Sequence, residues 1–371
     1  MKKLSKRLYI FMFILMICLP RVVWLFVEGS MDETNYENRQ MSQMPHLSID
    51  SYDSFSRDYE SYYNDSLPFR NSLIELNSAI DYFGFDKSSN SKVIIGKDNW
   101  LFYDNDEDGK TIPNYLGQVM YTDAELQAIA NNCINIRDTL KEQNIEFVLF
   151  IAPNKERVMS EYMPDRYGKP NKNYATLQLV NYLRENTDIR VVYPYDELIK
   201  AKDKLGDTNI WYKTDTHWNY VGGYVGSCAL LKELGIEMPD INSKDITIQE
   251  DEAKAGDLAG MINLSRMLDN KESNYIVKGY NEHNVQTISE DFTTVFSYHS
   301  QNADKRKLYI YRDSFTTHMA KYIGSQFNDS YMRYSGSYTY SDLQAQKPDI
   351  FVYETVERYA NNLMSFNLLQ E

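Results

Sequence analysis

IEFVLFIAP, residues 145–153, is an almost unbroken apolar run, and it decides the fold class. A strand that is apolar on both faces is typical of a buried parallel sheet, because helices cover both of its sides. A helix is predicted before it over 122–143, where Thr122 and Glu125 form a capping-box pattern. The alternation of strands and helices continues along the chain, with a helix over 174–186, a strand over 189–194, helices over 195–204 and 220–234, a strand over 307–315, a helix over 316–326, and a last strand and helix over 349–363. This order predicts an α/β fold with a mostly parallel central sheet and helices on both faces.

The segments before this pattern predict smaller elements. Residues 28–55 are polar and have no regular periodicity, so we expect a linker there. Apolar residues at helical spacing predict two short helices over 56–84, separated by Pro68, and residues 91–106 alternate like a β-hairpin. We therefore expect one catalytic domain over 56–371, with a helical extension over 56–90.

The first 27 residues indicate export from the cytoplasm. A basic segment, MKKLSKR, precedes the apolar stretch LYIFMFILMICLPRVVWLFV over 8–27. A helix of 20 residues is about 30 Å long, which is enough to cross a bilayer. We expect residues 1–27 to form a cytoplasmic basic tail and an uncleaved transmembrane anchor, with the rest of the chain outside the cell membrane. If the apolar run instead ends at Leu19, it is the core of a cleaved signal peptide.

Charge and cysteine content exclude some functions. The 371 residues carry a net charge of −14, and no basic patch stands out, so nucleic-acid binding is not expected. The three cysteines form no CxxC or Cys/His cluster, which argues against a zinc site or a disulfide framework.

Two motifs are expected at the carboxyl edge of the sheet, where α/β enzymes place their active sites. In YIYRDSFTTHM, residues 309–319, a strand ends at a serine and a helix begins. Ser314 is thereby exposed near free backbone N–H groups that suit an oxyanion. In TDTHWNYVGGY, residues 214–224, Asp215 and His217 are two residues apart and face the same side of an extended segment, while Trp218 is expected to wall the pocket.

Together these residues suggest nucleophilic catalysis. A serine hydroxyl needs a base to take its proton, and His217 with Asp215 as its orienting acid meets that need. Each motif is weak by itself, since Asp-Ser before a helix is a common cap and isolated D-x-H pairs arise by chance. His318 is an alternative base. A metal site would need a third ligand, and no histidine is well placed for it, so no metal and no cofactor are expected.

Four stretches resemble the SGNH-hydrolase-like proteins of the alginate O-acetyltransferase type and the related Gram-positive proteins named for a D-H-H-W motif. These stretches are NDSLPFRNSL (64–73) with VIIGKDNWLFY (93–103), APNKERVMSEYMP (152–164), TDTHWNYVGGY (214–224) and RDSF (312–315). The resemblance implies a three-layer SGNH-like fold with Ser314 as nucleophile, His217 as base and Asp215 as orienting acid. The chain departs from the pattern at Thr216, which replaces a histidine, and at Arg312, which replaces the glycine of G-D-S. Arg312, Asn154 and Arg333 are the oxyanion or substrate-binding candidates.

The resemblance also implies a function. It points to a membrane-anchored, extracytoplasmic O-acetyltransferase that acts on a cell-surface or secreted polysaccharide. Because acetyl-CoA is absent outside the cell, it implies a membrane-bound O-acyltransferase as the partner that donates acetyl groups. A carbohydrate acetylesterase would use the same acyl-serine chemistry. A non-catalytic polysaccharide-binding or scaffold protein is the alternative from another class.

Overall fold

The computed structural model describes residues 2–27, 40–49, 51–105 and 110–371. The chain divides into two compact units, the first made of Met1–Ser89 with Ile262–Leu264 and the second of Asn90–Met261 with Ser265–Glu371. Of the linker expected over 28–55, residues 28–39 and 50 lie outside the described residues. Its predicted end is wrong, because a helix already begins at Tyr52. The other domain limits proposed from the sequence remain predictions.

Thirteen α-helices and eleven strands are described, besides short 3-10 and π turns. The helices are α1 (Lys2–Val27), α2 (Tyr52–Asp65), α3 (Arg70–Ala79), α4 (Thr111–Tyr115), α5 (Asp123–Lys141), α6 (Lys155–Val158), α7 (Ala175–Asn186), α8 (Tyr195–Leu205), α9 (Tyr220–Glu233), α10 (Asp257–Met261), α11 (Ser265–Leu268), α12 (Ala320–Gly324) and α13 (Tyr340–Gln346). The strands are β1 (Val93–Ile95), β2 (Leu101–Tyr103), β3 (Glu146–Ala152), β4 (Arg190–Val192), β5 (Thr247–Asp251), β6 (Asn274–Lys278), β7 (Val285–Glu290), β8 (Val295–Ser300), β9 (Asp304–Arg312), β10 (Phe327–Tyr334) and β11 (Ile350–Val356).

The second unit is built around a seven-stranded sheet in the order β4-β3-β11-β9-β10-β8-β7. The pairings from β4 across to β10 are all parallel. The two pairings made by β8 near one edge, with β10 and with the edge strand β7, are antiparallel. The prediction of an α/β fold with a mostly parallel central sheet is therefore confirmed.

Successive residues of the central strands enter two separate cores. In β3, Val148 and Phe150 belong to one apolar cluster, which also holds residues of α8, α9 and α12. Their neighbours Phe147 and Leu149 belong to the other cluster, with residues of α5 and α7. Because side chains alternate across a strand, the sheet lies between two helical layers.

Of three local predictions, two, a capping box and a hairpin, agree with the structure, and one helix does not. Thr122 and Glu125 form the reciprocal capping box that starts α5. β1 and β2 pair as the antiparallel hairpin expected over 91–106. The helix expected over 316–326 is wrong in form, because the chain makes a 3-10 turn over Ser314–His318 and then only the five residues of α12.

The N-terminal segment forms α1, a helix of 26 residues. Across the part of the chain that the structure describes, no helix has the combined length and apolar character needed to cross a membrane. The transmembrane anchor predicted over 8–27 is therefore not shown.

Candidate active site

The nucleophile candidate lies at a tightly held turn after β9. Asp313 caps the 3-10 turn, since its Oδ1 accepts the Phe315 N–H at 2.8 Å, and its Oδ2 accepts the Val356 N–H at 2.6 Å. Ser314 is the first residue of that turn. The carboxylate of Asp313 thus fixes the turn to the end of the neighbouring strand β11 and presents the Ser314 hydroxyl at the sheet edge.

A buried carboxyl supports the same turn from below. Glu354, on β11, accepts the Asp313 backbone N–H and the Thr316 hydroxyl, both at 2.8 Å. Burial, and then the nearby charge of Asp313, raise the pKa of Glu354 well above its ordinary value. This shift disfavours a second negative charge next to Asp313, under the nucleophile.

Ser314, His217 and Asp215 form a continuous hydrogen-bonded chain. Ser314 Oγ is 2.7 Å from His217 Nε2, and His217 Nδ1 is 2.6 Å from Asp215 Oδ1. An ionised carboxylate only accepts hydrogen bonds, so Nδ1 carries the proton and Nε2 accepts from the serine hydroxyl. The spacing is that of a nucleophile, a base and an orienting acid.

The acid also governs the charge state of the base. Burial lowers the pKa of His217, but the hydrogen bond and the negative charge of Asp215 outweigh burial, so the pKa is raised above its ordinary value. Burial raises the pKa of Asp215, yet its bonds to His217 and to the Asp257 N–H lower the pKa overall. Asp215 therefore remains ionised and stabilises an imidazolium form of His217.

The segment with Asp215 and His217 does not follow a strand, which corrects the sequence-based expectation. It is a loop after α8, closed by a single antiparallel bridge between Trp211 and Trp218. Lys155 lies beneath this loop, and its buried ammonium donates to the carbonyls of Leu101, Lys213 and Asp215. Burial lowers the pKa of Lys155 to about 8.

A turn around Gly256 and Asp257 completes the support, and sequence reasoning missed it. The Asp257 N–H donates to Asp215 Oδ2 at 3.1 Å. The Asp257 carboxylate in turn accepts the Thr216 N–H at 2.8 Å and the Thr216 hydroxyl at 2.6 Å. A Cβ on Gly256 would lie 2.2 Å from the Cβ of Asp215, so only glycine fits this close approach. The motif KAGDL gives no local hint of these contacts.

A second carboxylate holds the beginning of the loop. Glu272 accepts the N–H groups of Lys213 and Thr214 at 2.8 and 2.7 Å, together with the Thr214 hydroxyl at 2.5 Å. The position of Asp215 is therefore set by backbone bonds from both sides.

Two of the predicted pocket residues have structural roles instead. Trp218 is fully buried and donates from its indole nitrogen to the Phe315 carbonyl, so it packs beneath the site and does not wall it. Arg312 is also fully buried, and its guanidinium donates to the carbonyls of Phe292, Asp291 and Met332. It also donates to the Asp313 carbonyl at 3.3 Å, so backbone carbonyls occupy the guanidinium donors.

Of the remaining candidates, Arg333 and Asn154 are not among the residues that line the site cavity, whereas His318 is. Arg333 is paired with Asp342 at 2.7 Å, so its charge is already compensated. Asn154 is buried, and its side-chain amide has no hydrogen-bond partner among the described residues. Its role as an oxyanion donor remains a prediction. His318 makes no hydrogen bond to Ser314, and burial lowers its pKa to about 3, so it is a poor base.

Three side chains at the site bring possible metal-ligand atoms close together. Side-chain atoms of Asp215, His217 and Asp257 lie within 4.8 Å of one another. However, His217 Nδ1 is already bonded to Asp215, and the Asp257 carboxylate to Thr216. This donor set serves to orient the imidazole, and the expectation of a metal-free site remains a prediction.

Ser314 and His217 open into a cavity of about 310 Å³. The other lining residues are Phe292, Thr293, Thr317, His318 and Tyr334. The cavity gives a substrate access to both reacting atoms, Ser314 Oγ and His217 Nε2.

Comparison with known structures shows the fold. PatB1 from Bacillus cereus superimposes with a TM-score of 0.53 at 15% identity, over 73% of this chain and 96% of that one. A DHHW family protein from Eubacterium siraeum gives a TM-score of 0.52 at 14% identity, over 75% of this chain and 99% of that one.

Sequence comparison finds relatives that match part of the chain. A probable alginate O-acetylase AlgJ from Pseudomonas fluorescens is 26% identical over 180 residues, which cover 48% of this chain and 42% of the relative. The Pseudomonas aeruginosa AlgJ is 25% identical over 221 residues, covering 57% of this chain and 51% of the relative. The chain therefore matches about half the length of these relatives.

The family model for the SGNH hydrolase-like domain of the acetyltransferase AlgX matches residues 93–301, more than half of the chain. The matched region includes Asp215 and His217 and ends before Ser314. The nucleophile is therefore assigned by its distance to His217. The chain belongs to the family of SGNH hydrolase-like domains of the AlgX acetyltransferase type.

Proposed function

We propose that the protein is a polysaccharide O-acetyltransferase that works through an acetylated Ser314. The observation that carries the proposal is the hydrogen-bonded series from Ser314 Oγ to His217 to Asp215, with contacts of 2.7 and 2.6 Å, at the floor of an accessible cavity. Family membership supports acetyl as the transferred group.

The first half of the reaction acetylates the enzyme. Ser314 Oγ attacks the carbonyl carbon of the donor ester while His217 Nε2 takes the serine proton. The tetrahedral intermediate then releases the donor oxygen, which receives that proton from His217. The product is an ester between the acetyl group and Ser314, and the imidazole is neutral again.

The second half transfers the acetyl group. A sugar hydroxyl gives its proton to His217 and attacks the acetyl carbon, and collapse of the intermediate returns the proton to Ser314 Oγ. Water in place of the sugar would give hydrolysis by the same steps. Transfer therefore depends on an acceptor held in the cavity.

The developing oxyanion needs hydrogen-bond donors. The Ser314 N–H is the first of its 3-10 turn, and the first N–H groups of a turn have no partner within it. We assign this N–H as one donor. The predicted second donor is Asn154, whose amide is available for a bond.

The proposal includes a location and a partner. A basic segment followed by an apolar stretch over 8–27 supports export, with the catalytic domain outside the cytoplasmic membrane and the stretch retained as an anchor. Outside the cell a membrane-bound O-acyltransferase would supply the acetyl group. Protease added to cells without walls should then digest the catalytic domain, and complete protection would exclude this location. A chain shortened at its N-terminus and released to the medium would show a cleaved signal instead.

The deciding experiment compares polymers from cells with the wild-type protein and with Ser314→Ala. A transferase predicts the same polymer with fewer O-acetyl groups, measured by NMR. An acetylesterase predicts more acetyl groups. Unchanged acetyl content and yield would refute both enzymatic functions and favour a binding or scaffold role.

A further inference from the structure

One wall of the active-site cavity is an exposed aromatic ring. Phe292 lies at the turn between β7 and β8 and lines the same cavity as Ser314 and His217, although 65% of its surface is exposed. The ring packs edge-on against Phe296, with centroids 5.5 Å apart. A large apolar ring exposed to water in the same cavity as a reactive serine indicates a binding surface, because contact between apolar surface and water is unfavourable.

The backbone of Phe292 is held by Arg312, the last residue of the strand that precedes the nucleophile. The buried Arg312 guanidinium donates to the Phe292 carbonyl at 2.9 Å and stacks 4.1 Å from the centre of the Phe296 ring. Arg312 is two residues before Ser314, so the hairpin tip and the nucleophile are fixed to the same residue. The aromatic wall is therefore preorganised relative to the reacting atoms.

The other cavity residues add hydroxyl groups. Thr293, Thr317 and Tyr334 line the same cavity as the ring and the serine. A flat apolar ring beside several hydroxyls complements a pyranose, which has an apolar C–H face and a rim of hydroxyl groups.

The cavity has little positive charge to offer. Of the residues that the structure describes around it, none is a lysine or an arginine. His318 is neutral, since burial lowers its pKa to about 3, and His217 has to be neutral to act as a base. The hairpin tip itself carries two exposed acids, Glu290 and Asp291. A carboxylate on the acceptor would meet repulsion with no cation to pair with it.

Two nearby cations do not line the cavity. Arg312 is fully buried, and its guanidinium donates to backbone carbonyls. Arg358 stacks 5.4 Å from the centre of the Phe315 ring, but it lines a separate crevice with Lys155 and Thr216. That crevice has negligible volume and cannot admit a sugar ring.

We propose that Phe292 forms an acceptor subsite for an uncharged pyranose, so the sugar that receives the acetyl group is neutral and not a uronic acid. The inference rests on the proposed transferase function and specifies its substrate class. It sets this chain apart from relatives whose names refer to alginate, a polyuronate.

Binding tests the subsite without turnover. Ser314→Ala protein is titrated calorimetrically with a neutral gluco-oligosaccharide and with an oligogalacturonate of the same length. We expect the neutral sugar to bind at least about tenfold more tightly. Adding Phe292→Ala should weaken that binding about tenfold, the loss expected for one aromatic contact. Ile288→Ala is the matched control, because Ile288 is equally exposed at 65% on the same hairpin but does not line the cavity.

The outcomes separate the subsite from the transferase proposal. Equal or tighter binding of the uronate, no binding of either sugar, or an equal loss in the Ile288→Ala control would each overturn the subsite. A neutral sugar that binds through Phe292 but is never acetylated by the wild-type protein with 4-nitrophenyl acetate would support the subsite and refute the transferase.

Discussion

Replacing Gly256 by alanine should inactivate the enzyme without unfolding it. The new Cβ would lie 2.2 Å from the Cβ of Asp215 and 2.4 Å from its Oδ2, whereas ordinary contacts begin at 3.4 Å. Asp215 must therefore move by roughly 1.2 Å, the difference between 3.4 and 2.2 Å. Misplacement of a catalytic group by about 1 Å reduces the rate about 100-fold. We expect that loss in kcat/KM for hydrolysis of 4-nitrophenyl acetate.

A neighbouring glycine provides the control. A Cβ on Gly260 would meet only Ser265 Oγ at 3.7 Å, an ordinary contact, so Gly260→Ala should retain wild-type activity. Combining Gly256→Ala with Asp215→Asn should add little to either loss, because both act on the same imidazole. Gly256→Ala protein with native circular dichroism and activity within about twofold of wild type would refute the positioning role of the turn.

Three further predictions test the site and its support. Ser314→Ala should lower hydrolysis of 4-nitrophenyl acetate about 10⁴-fold while changing the free energy of unfolding by only about 1 kcal/mol; a native-like rate would exclude Ser314 as nucleophile. The wild-type kcat/KM should rise with pH and level off above a pKa higher than 6.5, because neutral His217 is the base, and Asp215→Asn should move that rise to lower pH. An unshifted profile would contradict the electrostatic role of Asp215. Lys155→Met should lower the free energy of unfolding by about 2–3 kcal/mol in urea titrations, because three carbonyls lose their donor. Replacing the exposed Lys97 by methionine should change the free energy of unfolding by less than about 1 kcal/mol. Equal losses in the two variants would refute the stabilising role of the buried Lys155 hydrogen bonds.

Part of the central sheet could be predicted, because two of its strands are visible in the sequence as apolar runs. The run at 145–153 is buried on both faces in β3, and the strand at 307–315 is β9, so periodicity alone placed them. β7, β8 and β10 were missed because many of their residues are polar or partly exposed, as VQTISE, VFSYHS and FNDSYMRY show. An antiparallel pair at the sheet edge needs no continuous apolar run.

The reacting residues could be proposed from sequence, but their surroundings could not. Asp215 and His217 are two residues apart, so their shared orientation is a local property. The partners that hold them, Asp257, Glu272 and Lys155, come from remote segments. Asp257 and Glu272 lie in no quoted motif, and the stretch 152–164 that contains Lys155 gave no sign of its contact with the loop. Arg312 and Trp218 were misplaced for a related reason, since sequence shows that a side chain is large or charged but not which side of a turn it packs against.

The wide sequence separation of the loop contacts has a consequence for folding kinetics. Asp215 is bonded to residues 42 and 60 positions away, and His217 meets Ser314 across 97 positions. Such nonlocal pairings form late, after the chain has already lost the entropy of closing large loops. Partly folded chains with β3, β9 and β11 in place would still lack an ordered nucleophile–base pair. Recovery of hydrolysis during refolding should therefore trail the recovery of β-sheet signal, because the chain should acquire its reactivity only at the final cooperative step.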